Sequence, residues 1–157
     1  MRRSLILLIV FFGAGILQLA PWFSLGGIKP NVVLAVAVTW SLFARDMFRL
    51  SVILVASMLI LRAGGSDLGA VFIFSGLMCA AFLARTWTPG KPFVSTMLFI
   101  AVITPVFYAL FDWGFLEHSF GVVLQETVYN ALVGAICFGV FSRFATDRYE
   151  TDFRASF

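Results

Sequence analysis

Six apolar segments occupy most of this chain: residues 5–20, 32–44, 50–61, 68–84, 93–111 and 120–141. Only short connections separate them. Their apolar residues run continuously and do not alternate with polar ones. That is the pattern of membrane helices, not of barrel strands. Composition agrees. The 157 residues are 61% hydrophobic and 12% charged, with mean hydropathy +1.01. A soluble domain is about 45–50% apolar and about 25% charged. The expected fold is all-α: a polytopic membrane helix bundle with six transmembrane helices, two of them short, and both termini cytoplasmic. Residues 1–145 would form this single domain. Residues 146–157 would form a short polar cytoplasmic tail, frayed or briefly helical.

A span needs about 20 residues, with a range of about 17–25. The second and third segments fall short of this and need flanking residues, snorkelling or a thinned bilayer. A re-entrant hairpin is the alternative. Its tip would leave Arg45, Asp46 and Arg49 inside the membrane, at about 2.5–3.5 kcal/mol each. Two thin spans are therefore favoured. The first segment could be taken for a signal peptide. It exceeds the usual apolar core of about 7–15 residues, and Pro21, Trp22 and Phe23 follow it in place of a small-residue cleavage site.

The net charge of +3 could suggest nucleic acid in a soluble protein. Here the basic residues sit in loops and at the ends, so they read as topology signals. With the N-terminus in the cytoplasm, the inner side holds Arg2, Arg3, Arg45, Arg49, Arg85, Lys91, Arg143, Arg148 and Arg154. The outer side holds Lys29 and Arg62, together with Asp67, Asp112, Glu117 and His118. This is the sense of the positive-inside rule. Trp22, Trp87 and Trp113 fall at expected span ends, where indole rings favour the interface.

Motifs for chemistry are sparse. The sequence holds no Cys-x-x-Cys, no His-Glu-x-x-His and no phosphate-binding loop. Cys79 and Cys137 lie in apolar runs and read as small hydrophobes. No cofactor or metal ligand set is expected. The stretch Gly64–Gly65–Ser66–Asp67 reads as a turn whose Ser66 or Asp67 caps the fourth helix. Pro30 suits a helix start, and Asn31 beside it can bond free backbone groups there. Lys29, Asn31 and Asp67 are also candidates for an outer-face contact with a partner. Pro105 should kink the fifth helix, and Thr104 can satisfy a freed carbonyl. No internal repeat is evident, which argues against an inverted-repeat transporter.

The sixth segment raises the sharpest question, because Glu126, Asn130 and Gly134 are four residues apart and share one helix face. Charge facing lipid is expensive, so this face should meet protein. It is an interhelical polar seam, a partner-binding surface, or a ligand or proton site. Glu126 could be wet, protonated, or paired with Lys29 or Arg62.

Three stretches carry a resemblance to a known family. These are KPNVVLAVAVTWSL at residues 29–42, ILRAGGSDLGAVF at 60–72 and ETVYNALVGAICFGVFSRF at 126–144. Together with the length and the six short helices, they resemble the rod shape-determining protein MreD family. The family often carries an Asp before the Gly/Ser turn, where this chain has Leu59, Ile60, Leu61 and Arg62. The resemblance implies a non-enzymatic inner-membrane subunit of the bacterial cell-elongation machinery. It implies MreC as transmembrane partner, with MreB, RodA and a class B penicillin-binding transpeptidase in the wider complex. The last helix would offer MreC a groove with Glu126 and Asn130 as polar anchors, and the basic inner loops would meet anionic lipid or the filament. A second reading is a small-molecule carrier similar to the substrate-binding subunits of energy-coupling-factor transporters, with a polar pocket built from Glu126, Asn130, Lys29 and Asp67. A membrane-embedded enzyme would need more than one buried carboxylate.

Overall fold

The computed structural model describes residues 2–24, 26–44, 47–87 and 91–154, with side chains within 9–24, 26–44, 47–87 and 91–143. Arg45, Asp46 and the side chains of Arg2, Arg3, Arg148 and Arg154 lie outside the described residues, as do residues 155–157. Among the described residues there are seven helices: α1 (Arg2–Leu19), α2 (Val32–Phe43), α3 (Met47–Ala63), α4 (Leu68–Ala84), α5 (Pro92–Phe111), α6 (Trp113–His118) and α7 (Phe120–Arg154). The fold is all-helical. By length and composition two helices could cross a membrane: α5, and α7 over Phe120–Arg143.

Local chemistry explains the boundaries. Asn31 Oδ1 accepts from the Leu34 N–H at 3.1 Å and caps α2. Pro30 precedes this cap, outside the helix, where its missing N–H costs nothing. Asp67 Oδ1 accepts from Ala70 N at 2.6 Å and caps α4; Ser66 is not the cap. The end of α3 is a Schellman turn. Ser66 N–H bonds Leu61 O at 3.0 Å, and Gly65 N–H bonds Arg62 O at 3.1 Å. Gly65 sits at φ +84°, the left-handed position that this turn requires.

The sequence reading did not foresee α6. Asp112 both ends α5 and caps α6, accepting from Phe115 N at 2.9 Å. Nor does α7 stop with its apolar residues. It continues to Arg154, because residues 142–154 contain no Gly or Pro to end it. The third helix is also longer than its apolar core of residues 50–61, gaining a turn's length at its start from Met47.

The bundle is built around α2. Every residue from Val32 to Ser41 is buried, and α2 touches α1, α3, α4, α5 and α7. Phe74 and Met78 of α4 and Ile100 of α5 fill the space around it. Large apolar side chains such as Phe12, Ile16, Val55, Leu59, Phe72 and Ile136 point outward on the surrounding helices. An apolar exterior around a packed interior is the arrangement that lipid favours and water penalises.

The bundle has two distinct ends. One carries Gln18, Asn31, Tyr108 and Glu126 and is here the polar end. At the other, Trp40 and Phe43 of α2 meet Phe138 and Phe141 of α7, with ring centroids 5.3–6.0 Å apart. Phe93 of α5 joins Phe138 at 5.3 Å. This is the aromatic end.

Candidate functional site

The face of α7 that carries Glu126, Asn130 and Gly134 looks into the bundle. Across from it, α5 runs antiparallel and presents Tyr108, Thr104 and Ile100. Residues on both helices recur every four, so the two rows meet rung by rung. At the first rung Tyr108 Oη donates to Glu126 Oε2 at 2.6 Å. At the second, Asn130 Nδ2 donates to Thr104 Oγ1 at 3.3 Å. At the third, the bare Cα of Gly134 receives the Ile100 side chain, and a Cβ there would collide with Ile100 Cδ1.

The start of α2 closes the other side of this seam. Asn31, its cap, is opposite Glu126, and the Asn31 backbone N–H and the Asn130 side chain both face the Glu126 carboxyl group. A helix N-terminus attracts negative charge, so a carboxyl group is well placed there. Gln18 of α1 completes the end of α2, its Oε1 accepting from Val32 N–H at 2.8 Å. Lower down, Thr39 Oγ1 lies 3.5 Å from the position a Gly134 Cβ would take, and donates to Ala35 O at 2.8 Å. α2, α5 and α7 are therefore fixed to one another over three turns.

Glu126 is 4% exposed and Asn130 is fully buried. Both side chains are used within the chain, facing away from any partner on the exterior. Glu126 is held by Tyr108, not by Lys29 or Arg62. Glu126 Oε1, Asn130 Oδ1 and Trp40 Nε1 are buried without a hydrogen-bond partner among the described residues. Each such group costs about 1–3 kcal/mol. Net stabilisation from such a seam is modest, about 0.6 and up to about 1.7 kcal/mol per interhelical contact. Its stronger effect is on register, because one misplaced turn would strand all of these groups in an apolar interior.

Of the remaining candidates, only Asn31 borders the seam. Asn31 and Asp67 serve as helix caps. Lys29 is exposed and lines an open pocket of about 440 Å³, together with Gln18 and Ser66. Glu126, Asn130 and Asp67 are not among the residues lining that pocket. Among the described residues, no group of His, Cys, Asp or Glu is arranged to hold a metal ion. Cys79 and Cys137 are free thiols.

Tyr108 and Thr104 are the site residues that sequence reasoning missed. The signal was present: they are four apart on α5, as Glu126 and Asn130 are on α7. A short link between antiparallel helices brings the end of one opposite the start of the next. Comparison of the chain with protein-family models, with curated proteins and with solved structures finds no match.

Proposed function

We propose that this chain is a multi-pass protein of the bacterial inner membrane and a non-enzymatic, MreD-like subunit of the cell-elongation machinery. α1 to α5 and α7 would provide six crossings, with α6 lying on the outer surface. The polar end would face outward and both termini inward. Arg49, Arg85, Lys91 and Arg143 lie at the aromatic end and Lys29 and Arg62 at the polar end, which is the charge bias expected of that orientation. The 12 residues of α2 reach only about 18 Å at about 1.5 Å per residue. A short span is tolerable where protein, not lipid, surrounds it. The 35 residues of α7 reach about 52 Å, well beyond a hydrocarbon core of about 30 Å, so its end would project into the cytoplasm.

One observation carries this reading. Two of the three stretches that resemble MreD build the interior, and the third, residues 60–72, spans the turn between α3 and α4. Residues 29–42 are essentially the central helix α2, and residues 126–144 supply the face of α7 packed on it. Asn31 is opposite Glu126, Thr39 lies beside Gly134, and Trp40 meets Phe141 at 5.4 Å. In this reading the motif specifies the scaffold, and a partner span such as that of MreC meets the apolar exterior instead. The outward ladder Phe120, Leu124, Val128, Leu132 and Ile136 on α7 is available for such a contact. MreB, RodA and a class B transpeptidase would join through that complex.

The test is co-expression with a tagged MreC from the same genome, followed by purification in mild detergent. A stable pair that survives Asn130→Leu whenever the variant folds supports a scaffold role for the seam. Failure to pair with MreC under conditions where the chain is folded overturns the reading. The pocket beside Lys29 favours one second reading, a carrier similar to energy-coupling-factor substrate-binding subunits. A small molecule retained by the purified chain and identified by mass spectrometry would move the assignment there.

A further inference from the structure

Three separate pieces of chain wall the open pocket at the polar end. They are the end of α1, the segment that leads into α2, and the turn that ends α3. Two contacts fix these walls to one another. Gln18 Oε1 accepts from Val32 N–H at 2.8 Å, which ties α1 to the start of α2. Gly64 brings the α3 turn against α1, since a Cβ there would stand 3.2 Å from Leu19 Cδ2. The enclosed volume is about 440 Å³, within the range of about 300–1,000 Å³ usual for small-molecule sites.

The side chains of the lining are one-sided in their chemistry. Its polar side chains are those of Gln18, Lys29 and Ser66. Lys29 is the one cation among them, and it makes no hydrogen bond or ion pair among the described residues. The Gln18 carbonyl is committed to Val32, which leaves its NH2 group as the donor it can offer. The backbone of Ser66 is used on both sides, its N–H by Leu61 O and its carbonyl by Arg62 Nη1, while its hydroxyl is unused among the described residues. No Asp or Glu belongs to the lining. Asp67 follows Ser66 in sequence, but its Oδ1 is bonded to Ala70 N. The rest of the wall is apolar and includes Leu19, Ile60 and Leu61.

We propose that this pocket binds a small carboxylate with an apolar body, its carboxylate on the Lys29 ammonium and its body against Leu19, Ile60 and Leu61. A charge-assisted hydrogen bond to the ammonium supplies most of the polar attraction. One cation balances one negative charge, so a monoanion suits the lining. A dianionic phosphate ester would keep a charge without a partner. The inference goes beyond the scaffold reading and stands without any pairing with MreC. It also names the ligand class that a carrier would take here.

The experiment is fluorine NMR titration of the detergent-purified chain, with empty micelles subtracted. The probes are para-fluorobenzoate, para-fluorobenzyl alcohol and para-fluorobenzylammonium, one ring carrying an anionic, a neutral and a cationic head. The expected result is saturable binding of the benzoate alone. Lys29→Gln should weaken it roughly 5- to 10-fold, and Ser66→Ala roughly 2- to 5-fold. Lys29 is exposed and Ser66 half-buried, so both variants should elute and melt like the parent. Lys91→Gln, at the opposite end, should leave binding unchanged. Absence of saturable benzoate binding overturns the inference, as does binding that persists in Lys29→Gln or follows Lys91 instead. Equal binding of the alcohol overturns the anion preference and leaves an apolar cleft. Displacement of the benzoate by phosphatidylglycerol but not by unlabelled benzoate overturns the soluble ligand in favour of a lipid headgroup. Co-purification with MreC is a separate readout, so failure of this site leaves the scaffold reading standing.

Discussion

The two ends of the α2–α5–α7 core hold the same three helices together by different chemistry. At the aromatic end, Trp40, Phe43, Phe93, Phe138 and Phe141 pack ring on ring. At the polar end, Tyr108, Glu126, Asn130 and Asn31 meet through hydrogen bonds and a helix terminus. Aromatic packing gains from area and tolerates small slips. The polar seam gains little net energy but tolerates no slip, because a shifted turn leaves buried groups unpaired. The comparison assigns attachment to one end and register to the other.

The largest effect should come from the aromatic end. Phe141→Ala removes a ring that is 3% exposed and should cost about 3–5 kcal/mol. Unfolding midpoints in mild detergent would show it, and a cost below that of any seam variant would reverse the comparison. Next is the third rung. Gly134→Ala should cost about 1–3 kcal/mol by overpacking against the buried Ile100 side chain. Ile100→Val removes the colliding Cδ1 and should recover part of that loss, which a double-mutant cycle measures directly.

Tyr108→Phe should cost about 1–3 kcal/mol, because Glu126 then stays buried without its donor. Pairing it with Glu126→Leu should cost less than Tyr108→Phe alone, since both polar partners are gone. If the paired variant is instead the worse of the two, the carboxyl group contributes stability of its own and the register argument fails. The smallest effect belongs outside the core. Leu132→Ala, on the exposed face of α7, should change stability by no more than about 0.5 kcal/mol. A clear loss of MreC co-purification in that folded variant would locate the partner on this ladder.

Much of the fold was legible in the sequence because apolar runs and breakers act locally. α4 occupies residues 68–84 as read, and α2 ends one residue earlier than read. Asn31 and Asp67 are caps because a short polar side chain beside a helix start bonds to free N–H groups wherever it occurs. α6 was not legible, being six residues with no apolar run long enough to mark it. The inward direction of Glu126, Asn130 and Gly134 was legible from spacing and cost. Their partners Tyr108 and Thr104 were not read, although the matching spacing was available.

The sequence by itself determined that this chain is helical and apolar over most of its length, where most helices begin and end, and that one face of α7 must meet protein. These follow from backbone hydrogen bonding and transfer energies, which act residue by residue. Only the tertiary structure decided that the short helix α2 is the centre of the bundle. Hydropathy cannot distinguish a helix surrounded by protein from one surrounded by lipid, because both environments are apolar. Only the tertiary structure, too, brought Tyr108 onto Glu126 and Thr104 onto Asn130, since contacts between distant segments depend on which helices pack and in what register.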